Sequence, residues 1–126
     1  MSSQDSLPFI RRLLWASAAF NLGGAMAFGF PASVGQLMGL PADVPALYRA
    51  LAALFVLLFS GSYAWLALQP QIVRPMVAFG AIGKSSFFVL ILLFCLFGAL
   101  PVGSLLPASG DLVLAVLFFQ WLRSTR

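Results

Sequence analysis

The chain has 126 residues, 62% hydrophobic and 8% charged, whereas soluble domains run at about 45–50% apolar and about 25% charged. A small domain buries only part of its chain on folding, so this much apolar surface predicts an integral membrane protein whose solvent is lipid. With three Asp, no Glu, no His and one cysteine, the usual metal shells, haem ligation, most acid–base pairs and any intrachain disulfide or CxxC chemistry are excluded. The reading is therefore of a non-enzyme with neither metal nor cofactor. The net charge of +4 is no nucleic-acid signal, because the basic residues stand at the ends of apolar segments, where lipid head groups and membrane orientation account for them.

A helix needs about 20 apolar residues to cross the hydrocarbon core. Four segments are read as spans: 13–30, 46–68, 76–100 and 105–122, most of them bounded by proline, which cannot continue a helix. The first resembles a signal peptide, with Arg11 and Arg12 before an apolar stretch, but three further spans follow and it is read as uncleaved. Between the first two spans Val34, Leu37 and Met38 follow Ser33 at helical spacing, ahead of Gly39 and Pro41. This predicts a short interfacial helix with Ser33 as its N-cap. The fold class is thus all-α, a single four-transmembrane-helix bundle over 1–126 with a short interfacial segment between helices 1 and 2. Trp15, Trp65, Trp121 and Tyr48 lie near span ends, where aromatic belts sit. Cys95 lies in an apolar run and reads as a small buried hydrophobe.

Four spans place the N-terminus, the 69–75 loop and the C-terminus on one side, with Arg11, Arg12, Arg74, Arg123 and Arg126; the other side has Arg49 alone. The positive-inside rule makes both termini cytoplasmic. The segment 45–55 can also be laid over 107–118 with Pro45 on Pro107 and Ala46 on Ala108. A true duplication would relate two hairpins by an axis along the membrane normal.

Polar residues within the spans carry the functional reading, since a charge at the bilayer centre costs about 2.5–3.5 kcal/mol on insertion scales. Lys84 lies nine residues beyond Pro75, roughly 13 Å into the core at about 1.5 Å per residue, too deep to snorkel. Arg49 and Asp111 are each the fifth residue counted from a proline, so an Arg49–Asp111 pair at matching depth is expected, which Lys84 would join or replace Arg49 in. Asn21 sits in a stripe of small and polar residues with Ser17, Ala25 and Gly29, beside a second stripe of Ala19, Gly23 and Ala27 that lets helices approach. Lys84, Arg49, Asp111 and Asn21 are therefore the candidate ligand-binding residues, converging on an outward-opening polar cavity. The ordinary role of such residues is interhelical glue. For Lys84 the balance tips to function, because one Asp cannot match two cations and the excess charge invites an anion or a lipid head group.

The segments YRALAALFVLLFSGSYAWLA and RPMVAFGAIGK, together with four short spans and a proline-rich first outer loop, resemble the small bacterial inner-membrane proteins grouped as DoxX-like. The resemblance implies a four-helix bundle in the bacterial inner (cytoplasmic) membrane and says little of function. DoxX-like proteins often carry an acidic residue in the second span, and this chain has none between Ala46 and Leu68. Two functions remain open at this stage. One is a bundle binding a small anionic, amphipathic or lipid-like ligand, a small transporter if it forms a homo-oligomer. The other is an accessory or scaffold subunit of a larger membrane complex.

Overall fold

The computed structural model describes residues 3–126, which form helices and turns with no strand among the described residues. Four long helices, α1 (Ser3–Gly29), α2 (Ala46–Ala67), α3 (Arg74–Leu96) and α4 (Leu105–Ser124), run up, down, up and down. Three segments are long and apolar enough to cross a membrane: Ala46–Ala67, Arg74–Leu96 and Val102–Ser124, the last including a short 3-10 turn before α4. Helix α1 is longer than these but more polar, since Arg11, Arg12 and Asn21 interrupt it. It starts ten residues before the expected span and takes in Pro8. The extension is held by buried Ile10, Leu13 and Leu14, and by the Trp121 indole N–H, which donates to the Ser6 carbonyl at 3.1 Å.

The closest backbone approaches join α1 to α2 and α3 to α4. Small residues make the first possible: a Cβ on Gly24 would meet Val56 at 3.3 Å and one on Gly29 would meet Ala53 at 3.6 Å. The Ser60 hydroxyl donates to the Ala18 carbonyl at 2.6 Å across the same seam. In a lipid solvent such contacts replace the hydrophobic effect as the force between helices. The outer surface is apolar in turn, with Leu54, Leu58, Trp65, Ile82 and Leu90 all exposed.

We call the end where α1 begins and α4 finishes the terminal end, and the opposite one the loop end. The apolar core fills the terminal half, built on Ile10, Leu14, Leu66, Val77 and Phe118. Two arginines close this end. Arg11 donates to the Gln69 carbonyl at 2.8 Å, past the end of α2. Arg74 donates to the Leu122 carbonyl at 2.7 Å, to the Thr125 carbonyl at 3.1 Å and to the Thr125 hydroxyl at the end of α4. Each cation satisfies carbonyls that a helix leaves without partners and complements its C-terminal dipole. Trp121, expected in an interfacial belt, is instead a packing residue, 5% exposed beneath the Arg74 guanidinium at 5.4 Å. Trp15, Trp65 and Tyr48 are exposed.

The loop end departs further from the sequence reading. The first connection holds a π-helical turn, Pro31–Gly35, rather than an α-helix capped by Ser33; Phe30 precedes it and the Ser33 hydroxyl points back to the Phe30 carbonyl. Leu37 is exposed, while Met38 and Leu40 turn inward. Helix α3 stops at Leu96, four residues short of the expected end, because Gly98 adopts φ 77°. The Ala99 N–H then bonds the Phe94 carbonyl and the Gly98 N–H the Cys95 carbonyl, a Schellman closure that supplies partners to the last carbonyls. Cys95 is only half-buried, its thiol directed at the Pro101 carbonyl at 3.4 Å. Gly39 closes the first connection in the same way with φ 74°, and its carbonyl accepts a hydrogen bond from Ser104 at 3.4 Å, clasping the two loops.

These two glycines define a test. A Cβ at Gly98 meets nothing within 4 Å, so Gly98→Ala is expected to cost only the left-handed strain, about 1–2 kcal/mol. A Cβ at Gly39 would stand 2.5 Å from the Ser104 hydroxyl and 2.8 Å from Pro101. Gly39→Ala is therefore expected to lower the melting temperature in detergent further than Gly98→Ala. Equal losses would mean that the loops do not clasp.

Candidate functional site

Lys84 stands near the middle of α3 and is 4% exposed. Its ammonium donates to Asp111 Oδ1 of α4 at 2.9 Å and to Asn21 Oδ1 of α1 at 2.9 Å. It is the one ion pair among the described residues. The side chains of three helices thus meet at one nitrogen. Two rings complete the enclosure, Phe20 with its centroid 5.3 Å from the ammonium and Tyr63 at 5.1 Å, both within cation–π range.

Glycines set this geometry. A Cβ on Gly80, one turn before Lys84, would come within 2.9 Å of the Tyr63 ring, and one on Gly110 within 2.4 Å of the Phe20 ring. The rings occupy the space those missing side chains leave. Neither ring was singled out from the sequence as a contact to Lys84. The available signal was a glycine one position before Asp111 and another four before Lys84.

Of the four expected residues, Lys84, Asp111 and Asn21 come together and Arg49 does not. The expected Arg49–Asp111 pair is replaced by Lys84–Asp111. Arg49 shares its face of α2 with Ala53 and Ser60, and that face packs along α1, whereas Asp111 turns to α3. Arg49 is half-buried at the loop end, and its side chain makes no hydrogen bond or ion pair among the described residues. The two charges differ in depth as well as in rotation: Pro107 lies inside α4, so Asp111 is the seventh residue of that helix, at the cavity floor, whereas Arg49 is the fourth of α2, at the loop end. Lys84 is consequently matched in charge by Asp111, and the unmatched cation is Arg49, outside the cavity.

The polar cluster forms the floor of a cavity of about 430 Å³ that occupies the loop half of the bundle. Its walls are apolar, with Phe28, Val56, Phe87 and Ile91 among them, and Met38 and Leu40 cover the loop end. Below the floor the packed core closes the terminal half: Val77, Ala81 and Phe118 are fully buried. Phe118 stacks beneath Tyr63 at 5.9 Å between centroids.

No family model, no curated protein and no solved structure matches the chain. The chemistry of the site must be read from its own atoms. Lys84 uses two of its three N–H donors on Asn21 and Asp111. The second Asp111 oxygen, the Asn21 amide N–H groups and the Tyr63 hydroxyl make no hydrogen bond among the described residues. The floor thus offers several donors and an acceptor to whatever enters.

Proposed function

We propose that this chain is a four-span inner-membrane protein that binds a small amphipathic, lipid-like ligand in the cavity between its helices. The observation that carries the reading is the cavity itself, an apolar chamber of about 430 Å³ ending on the buried Lys84–Asp111–Asn21 cluster. Its volume falls in the range of roughly 300–1,000 Å³ usual for small-molecule sites, and those sites join apolar walls to a few placed polar groups. An ion pair retained at membrane depth is a functional-site signal in its own right.

The fourth span in this reading is α1, which lies along α2 over much of its length and exposes Leu22 and Met26. Cytoplasmic termini follow from the arginines at the terminal end, and the resemblance to DoxX-like proteins favours a bacterial inner membrane. Binding is favoured over transport because the cavity has a closed core beneath it. Charge balance at Lys84 favours an amphipathic ligand over a simple anion.

Native mass spectrometry of the full chain released from a mild detergent tests this reading. Wild type is expected to carry a reproducible extra mass. Gly23 lines the cavity and a Cβ there meets nothing within 4 Å, so Gly23→Leu is expected to fold normally and to lose that mass. A bare chain in both cases would favour the accessory-subunit role instead.

A further inference from the structure

The route into the cavity and the head chemistry of its floor together narrow the ligand, given the binding reading above. The helix pairs α1–α2 and α3–α4 approach closely through their backbones, but α2 and α3 meet through side chains. Phe59 stacks on Phe79 at 5.9 Å and the Tyr63 ring lies on Gly80. On α3, Phe79, Gly80, Gly83 and Phe87 fall on one face at about 100° per residue, the face turned to α2. At Gly83, beside Lys84, a Cβ would meet nothing within 4 Å, and the residue is exposed while also lining the cavity. The chamber therefore reaches the outside of the bundle along this seam, where Ile82 and Leu90 nearby on α3 are exposed. Met38, Leu40 and the Gly39–Ser104 clasp cover the loop end. The way in lies through lipid.

The floor selects the head group. Lys84 and Asp111 cancel in charge, so a carboxylate or phosphate would meet the Asp111 carboxylate at low dielectric, where like charges repel strongly. A hydroxyl suits both halves of the pair: it accepts from the remaining Lys84 N–H and donates to the second Asp111 oxygen. The volume of about 430 Å³ suits one hydrocarbon tail and is too small for the two tails of a diacyl lipid.

We propose that the occupant is a single-chain lipid with an uncharged hydroxyl head, such as a long-chain alcohol or a monoacylglycerol, and that it enters from the bilayer between α2 and α3.

The test uses the full chain in phosphatidylcholine nanodiscs and an oleyl alcohol bearing a photoreactive diazirine. Saturable labelling of one probe per chain is expected, on cavity residues such as Phe55 and Phe87. Unlabelled oleyl alcohol should displace it about tenfold better than oleate at pH 8, the difference expected of one hydrogen bond to a charged group. Dioleoylglycerol, with the same head on two tails, should displace it poorly. Gly83→Leu fills the seam without touching the ion pair and should cut labelling about tenfold while preserving the melting temperature. Stronger displacement by oleate would overturn the head-group inference and leave the binding cavity standing, and displacement by dioleoylglycerol would overturn the single tail. Saturable labelling unchanged by Gly83→Leu would overturn the α2–α3 entry. No saturable labelling by the probe, with oleate and dioleoylglycerol analogues equally inert, would overturn the binding reading as well.

Discussion

Lys84→Met is expected to destabilise the bundle by about 3–5 kcal/mol, the cost of leaving one member of a buried pair uncompensated. The lone Asp111 would keep no ion-pair partner, since Lys84 is the one it has among the described residues. Asp111→Leu should cost less, by about 1–2 kcal/mol, because the ammonium retains Asn21 and the faces of Phe20 and Tyr63 and a desolvated cation–π contact is worth up to about 2 kcal/mol. The double variant Lys84→Met/Asp111→Leu removes both charges and should recover most of the loss. Unfolding by titration with a denaturing detergent would measure all three, and additive single losses would show that the two residues do not interact. Arg49→Ala is expected within about 0.5 kcal/mol of wild type, and combining it with Asp111→Leu should add nothing beyond the sum.

That contrast shows what was legible in the sequence. Lys84, Asp111 and Asn21 stand out because each is a polar residue far from a span end, and depth can be counted from the nearest proline. Arg49 passes the same count and still lies elsewhere, because Pro107 stands inside α4 rather than at its start, which carries Asp111 deeper than Arg49, and because pairing also needs rotation about the helix axis. The face of α2 that carries Arg49 was decided by Gly29 meeting Ala53 and by Ser60 bonding Ala18. Those contacts depend on which helices are neighbours, which hydropathy does not encode. Helix ends were misjudged where glycine, rather than proline, was the stop, as at Gly98. The extension of α1 was missed because its polar residues resemble a flank, although Ile10 and Leu14 bury it. A cavity around these polar residues was expected, but its apolar walls and its extent were not legible, because they come from the space left where Gly23 and Gly83 have no side chain to fill it.

Phe118 and Phe119 offer the sharpest separation of core from lipid-facing surface, being adjacent and chemically identical. Phe118 is fully buried, stacked on Tyr63 and packed with the terminal core; Phe119 is 42% exposed. In a soluble protein Phe→Ala in a core costs about 3–5 kcal/mol, part of it for transfer from water and part for the cavity left behind. In lipid the transfer part falls away because hydrocarbon is as apolar as the core, and packing remains. Phe118→Ala is therefore expected to cost about 2–3 kcal/mol, at or below the soluble range, and Phe119→Ala well under 1 kcal/mol, since lipid chains can fill its place. Phe118→Ala should also loosen Tyr63 above it, and with it one wall of the Lys84 enclosure. The same detergent titration resolves the pair, and equal costs at the two positions would place the core on the wrong face of α4. A loss confined to Phe118 would fix the rotation of α4, and that rotation is what aims Asp111, seven residues earlier and so on nearly the same face, at Lys84.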